Sequence, residues 1–265
     1  MCSFQFKNRM FMIGGPETSR YDFRYRQLLL EGSQVRELND LPFPFDEGTC
    51  AVFDDVNIYE EKAMACAASP PYNYDCWLFN GDYWQQTDDT RDDHYKGGLV
   101  KFKDSVIVIS GDYNTDGSTE QFNSQSQDWR VVVKSYKMQK LKQFSVVNFK
   151  NMVYLFGGYF DKAGVYAMND NYEWLTFSQE LKRGRDRYHC KCVFTETYYF
   201  LKSFRTLVQG NSIIHIGGEK QQTAEVWRWR DDGSNQFAIY ETDFTTYNWS
   251  RYPETFLVGE FDYLD

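Results

Sequence analysis

The sequence predicts an all-β chain made of repeated strand units closed into a β-propeller, and three observations predict it. The first is self-similarity: "FKNRMFMIGG" (6–15), "FKDSVIVISG" (102–111) and "FKNMVYLFGG" (149–158) align without a gap, and "QGNSIIHIGG" (209–218) keeps the Asn, the apolar run and the Gly pair. The second is the period. The first doublet positions are 14, 67, 110, 157 and 217, so the motif recurs every 43 to 60 residues, and repeats of about 40 to 50 residues mark propeller blades. The third is composition. Aromatic residues make up 18%, with 22 Phe and 20 Tyr, and flat side chains pack well on pleated strands.

Taken in order, each unit reads as an apolar strand, a short Lys-Asn or Lys-Asp turn, and four apolar residues that need burial on both faces. The doublets Gly14-Gly15, Gly157-Gly158 and Gly217-Gly218 close three of these runs, and Ser110-Gly111 closes a fourth. "EEKAMACAAS" (60–69) is a worn copy in which Ala67 and Ala68 replace the glycines. Glycine there permits a sharp turn and close packing. Downstream, Phe79, Phe122, Tyr166 or Trp227 sits on a third strand, and Trp84, Trp129 and Trp174 follow in three units. A large ring at that point fills the wedge between neighbouring units.

Apolar run, Gly-Gly, aromatic and spaced Trp together resemble the kelch repeat, and the resemblance covers nearly the whole chain. It implies one kelch-like propeller domain over 1–265, in four-stranded blades at approximately 1–45, 46–92, 93–140, 141–185 and 186–250. The stretch 251–265 reads as a closing or extra strand. Five blades are recognisable, or six with one degenerate. At 265 residues and 42% hydrophobic, a single large domain of this kind is expected.

A formal net charge of −9 and a pI near 5.0 argue against a nucleic-acid partner, because phosphate binding needs concentrated Lys and Arg. No window approaches the roughly 18 to 20 apolar residues of a membrane span, and "MCSFQFKNRM" lacks an apolar signal core. The chain is expected to be soluble, without membrane insertion.

Function must come from loops rather than fold. The resemblance groups the loops after each doublet with those between blades on one face. Asp88, Asp89, Asp92 and Asp93 form an acidic sector there, and Lys182, Arg183, Arg185 and Arg187 a basic one. With the loop aromatics Tyr72, Tyr74 and Tyr159, this face suits a protein or peptide ligand. A non-catalytic interaction scaffold is the expected function; its oligomeric state is left open.

The loop "SGDYNTDGSTEQF" (110–122) has the spacing of a calcium loop. Asp112, Asn114, Asp116 and Gly117 match the first half of an EF-hand, but the twelfth position is Asn123, where a bidentate Glu is needed. The loop more closely resembles the calcium loops of integrin propellers, with Glu120 as the last acidic ligand. A polar turn is the other reading. A structural calcium ion is the one cofactor this leaves open.

Catalysis finds little support. His94, His189 and His215 form no zinc spacing, and "HCKC" (189–192) places its two thiols on one strand face and the imidazole on the other. Galactose oxidase has a similar propeller and is a copper enzyme, but no Tyr, His and Cys cluster here can be carried over from it. Cys66 and Cys76 could face each other across a hairpin, in geometry that permits a disulfide. A bridge would favour an extracellular, calcium-stabilised ligand or glycan binder, with which the sequon at Asn248 agrees; free thiols would favour a cytoplasmic scaffold.

Overall fold

The computed structural model describes residues 2–15, 22–31, 34–55, 60–114, 116–159, 161, 163–177, 179–181, 205–209, 211–216, 223–232, 234 and 236–243. Arg183, Arg185, Gly217, Gly218, the "HCKC" segment, the sequon and the expected strand at 251–265 lie outside them.

Five antiparallel four-stranded sheets form a ring, a five-bladed β-propeller. The first blade holds β1 (Cys2–Phe6), β2 (Arg9–Ile13), β3 (Gln27–Glu31) and β4 (Gln34–Glu37). The second holds β5 (Thr49–Asp55), β6 (Glu60–Cys66), β7 (Cys76–Phe79) and β8 (Trp84–Gln86). The third holds β9 (Gly98–Phe102), β10 (Ser105–Ile109), β11 (Ser118–Asn123) and β12 (Asp128–Lys134). The fourth holds β13 (Ser145–Phe149), β14 (Met152–Phe156), β15 (Val165–Met168) and β16 (Trp174–Thr176). The fifth holds β17 (Arg205–Gln209), β18 (Ser212–Ile216), β19 (Thr223–Trp229) and β20 (Phe237–Asp243). In every sheet the strands lie in chain order, and the innermost strands touch in the sequence β1, β5, β9, β13 and β17.

The four-residue apolar runs are explained by this arrangement. Side chains alternate across a strand, and the second strand of a blade has a neighbouring blade on each side. In β10, Val106 and Val108 join the core between the second and third blades, while Ile107 and Ile109 join the core between the third and fourth. In β14, Val153 and Leu155 face one seam and Tyr154 and Phe156 the other. Four apolar cores thus fill four seams. Trp84, Trp129 and Trp174 are buried in the seam on the upstream side of their blades. Trp84 Nε1 donates to Gln27 Oε1 (3.2 Å) and Trp174 Nε1 to Thr119 Oγ1 (3.3 Å) in the preceding blade.

The turns follow from local chemistry. Lys7-Asn8 (φ 46° and 61°) and Lys150-Asn151 (φ 50° and 61°) are two-residue hairpins with both residues left-handed, the twist that suits paired strands. The first doublet residue is also left-handed in the first four blades: Gly14, Ala67, Ser110 and Gly157 have φ of 69°, 58°, 50° and 64°. Their N–H groups donate to the carbonyls of Arg26, Asp75, Ser118 and Gly164. The worn copies therefore keep the turn. At Gly14 a Cβ would lie 1.9 Å from the Phe45 carbonyl oxygen, so only glycine fits. Ser110 is accommodated because its hydroxyl reaches the carbonyls of Met138 and Leu141.

Candidate functional site

The loops after the doublets and the loops leading into the blades are fastened to one another. The N–H of Ser69 donates to Asp46 O (2.9 Å), that of Asp112 to Tyr95 O (2.7 Å) and that of Tyr159 to Lys142 O (3.0 Å). The same contact recurs in the second, third and fourth blades, so both sets of loops share one face.

That face carries exposed aromatic surface. Tyr74, Tyr113, Tyr136 and Tyr159 are 39%, 59%, 76% and 42% exposed. Tyr72 is half-buried against the first seam. Tyr113 stacks on Tyr95, with ring centroids 6.2 Å apart and planes 13° from parallel. Tyr95 is pinned beneath it. Its hydroxyl donates to the Glu47 carboxylate, which also pairs with Lys96 (3.1 Å). Burial and the Glu47 charge push the Tyr95 phenol far above its ordinary pKa. Further round, Lys142 pairs with Asp112 and lies 5.1 Å from the Tyr159 ring centroid, a cation–π distance.

The four acidic residues between the second and third blades divide. Asp88 and Asp89 are exposed, and Asp92 is half-buried. Asp75 joins them: burial, then the charge of Asp89, raises its pKa. Asp93 is buried, where it accepts from the Asn73 side chain and from Tyr95 N (2.8 Å). It secures the loop from inside and offers a partner nothing. Thr90 completes the fastening, its N–H and hydroxyl both donating to Tyr74 O at 2.9 and 3.2 Å.

The residues of the calcium-loop reading are not brought together. Asp112 pairs with Lys142, and Asp116 with Lys134 (2.5 Å). Asn114 is buried and turned into its own loop, its Nδ2 donating to Ser118 Oγ (2.7 Å) and its Oδ1 accepting from Ser118 N (3.1 Å). Glu120 is fully buried beside His94, with Oε1 2.9 Å from Nε2. Its carboxylate also accepts from the N–H groups of Arg91 (3.0 Å) and Asp92 (2.8 Å). The physical reason is strand geometry: Glu120 lies on β11 at a register shift, and the strand points it inward. Burial pushes its carboxyl up, but the hydrogen bond and charge of His94 and the two N–H groups outweigh this and hold it below its ordinary value. Among the described residues, no three His, Cys, Asp or Glu side chains are grouped to hold a metal ion.

Cys66 and Cys76 are directly opposite on β6 and β7, with Cα atoms 4.2 Å apart, and are bridged. A second bridge, Cys2–Cys50, ties the innermost strands of the first two blades. Nothing in the repeat pattern pointed to it. Tyr113 was also missed, since its motif was read for its carboxylates; the signal available was a large apolar residue in the middle of a polar turn.

Neither any family model nor any curated protein matches this chain. What fold and face define is a class, a five-bladed all-β propeller whose loop face carries tyrosines and flanking charges. No helix among the described residues is long and apolar enough to cross a membrane.

Proposed function

We propose that the chain is a kelch-type, non-catalytic scaffold that binds a protein partner through the loop face of its second, third and fourth blades. One observation carries this reading: Tyr74, Tyr113, Tyr136 and Tyr159, in loops spread over 86 positions of sequence, are all exposed on one face. Tyrosine offers a large, rigid contact area with a polar tip and is enriched at protein interfaces. Asp75, Asp88 and Asp89 beside Tyr74 give the face an orienting charge. The test is a paired affinity capture with wild type, Tyr113→Ala/Tyr136→Ala/Tyr159→Ala, and Tyr83→Ala, a control on a hairpin outside this face. The reading requires a partner retained by wild type and by Tyr83→Ala and lost by the triple variant.

A second reading is favoured by the two cystine bridges: an extracellular ligand or glycan binder using the same tyrosines. Disulfides persist in oxidising compartments. Binding of neutral oligosaccharides by wild type and not by the triple variant would select this reading over the first.

A further inference from the structure

The seams between blades are not equally closed at their outer ends. Between the second and third blades, Asp88 N donates to Gln127 O (3.1 Å) and Gln85 reaches the Gln127 side chain (3.5 Å). Between the third and fourth, Tyr172 Oη donates to Gln121 Oε1 (3.0 Å), and Lys103 Nζ to Asp170 O (2.6 Å). Between the fourth and fifth, Gln179 and the Phe237 backbone exchange two hydrogen bonds of 2.7 and 2.8 Å. Among the described residues no such bond joins β4 to the hairpin between β7 and β8. The deep Trp84–Gln27 contact is present, but outside it the seam opens into a cleft of about 470 Å³, within the ~300 to 1,000 Å³ range of ligand sites.

The cleft has a definite chemistry. One wall is the outermost strand β4, which carries Arg36 and Glu37 and, among the described residues, pairs with a strand on one edge only. All four β4 residues are exposed. An unpaired strand edge presents a row of backbone donors and acceptors to any extended chain laid beside it. Leu38 and the edge of the buried Phe79 give the lining an apolar part, beside Gln27 and Asn39, and the opposite wall carries Asp82. Opposite charges, Arg36 in a long pair with Glu31 (3.9 Å) and Asp82 in no ion pair among the described residues, therefore stand on opposing walls.

We propose that this cleft is a second binding site, distinct from the loop face, which takes an extended peptide segment of a partner as a fifth strand on β4. The segment places an apolar side chain on the half-buried Leu38, a carboxylate against Arg36, and a Lys or Arg against Asp82. In the three other seams whose residues are described, bonds between the blades already bridge the outer ends. The inner end of this seam is held by Cys2–Cys50, so occupation of the outer cleft need not part the blades.

The test is panning of a phage-displayed random heptapeptide library on the intact chain, with titration of the enriched peptides as synthetic probes. Arg36→Glu and Asp82→Lys are the variants; both side chains are exposed, and circular dichroism and melting check that each folds as wild type does. The expected peptides combine an acidic, an apolar and a basic residue. Either charge reversal weakens them roughly tenfold, and replacing the peptide's acid with Lys restores binding to Arg36→Glu. The proposal is overturned if no peptide enriches over a blank surface or if both reversals leave affinity unchanged. It is also overturned if the Tyr113→Ala/Tyr136→Ala/Tyr159→Ala variant abolishes binding, which moves the peptide to the loop face. Concentration-dependent self-association lost in Arg36→Glu would likewise overturn it, making a second copy the occupant.

Discussion

Glu120 Oε1 and His94 Nε2 are 2.9 Å apart, and neither side chain reaches solvent. His94 Nδ1 lies 2.7 Å from the Ser110 carbonyl oxygen, so that nitrogen carries a proton, and Nε2 is left to share one with Glu120. The pair joins the acidic loop at 87–94 to the blade it leads into. Removing one partner of a buried pair leaves an uncompensated polar group, which costs about 3 to 5 kcal/mol. Glu120→Ala should therefore lower stability by about 3 kcal/mol in denaturant titration. Glu120→Gln should cost less, since its amide oxygen can still accept from an N–H while its NH₂ donates to a neutral His94.

The same pair sets an acid limit. The native pKa of Glu120 lies below its unfolded value, so its contribution is fully present above the unfolded value. It is lost as pH falls below about 4.5, through the lowered native value. Urea midpoints measured from pH 6 to pH 3 should fall more steeply in wild type than in Glu120→Gln.

The doublet turn separates two substitutions that look alike. Gly14→Ala puts a methyl group against the Phe45 carbonyl at φ 69° and should cost about 3 kcal/mol, combining left-handed strain with a steric clash. Ala67→Gly, at φ 58°, relieves strain of the same kind and should be nearly neutral, because it also loosens the unfolded chain and removes a buried methyl group. Thermal melts of the two variants check the contrast.

The wedge tryptophans should dominate mutational sensitivity. Trp174→Ala empties the seam occupied by Phe102, Ile107 and Leu155 and should cost about 3 to 5 kcal/mol. Trp174→Phe should cost less, losing the bond to Thr119 and part of the ring.

The two bridges close loops of different length, with separations of 48 and 10 residues. Chain-entropy reasoning assigns about 4 kcal/mol to the longer and about 3 to the shorter. Non-reducing intact mass should show the protein lighter by four hydrogen atoms, with peptide maps linking Cys2 to Cys50 and Cys66 to Cys76. Paired serine replacement of Cys2 and Cys50 should lower the melting temperature more than replacement of Cys66 and Cys76.

The propeller was legible because the first four blades repeat the same local physics: a left-handed turn residue at positions 14, 67, 110 and 157, and an apolar run at the end of the second strand. That constraint shows as a period along the chain. The face was legible only in part. Asp88 and Asp93 are alike in sequence, yet one is exposed and the other holds Asn73 and the Tyr95 backbone; charge alone does not reveal which carboxylates the loop needs for itself. Glu120 was counted along the chain as a loop ligand, whereas the register shift in β11 decides where it points. Cys2–Cys50 joins two blades, and nothing in a period that is read one blade at a time signals a bond between them.

The most direct measurement is hydroxyl-radical footprinting of the chain alone and bound to the partner recovered by affinity capture. If the loop face is the interface, modification of Tyr74, Tyr113, Tyr136 and Tyr159 falls together on binding while that of Tyr83 is unchanged. Unchanged modification of all four, with protection appearing elsewhere on the ring, would contradict the loop face as the binding surface.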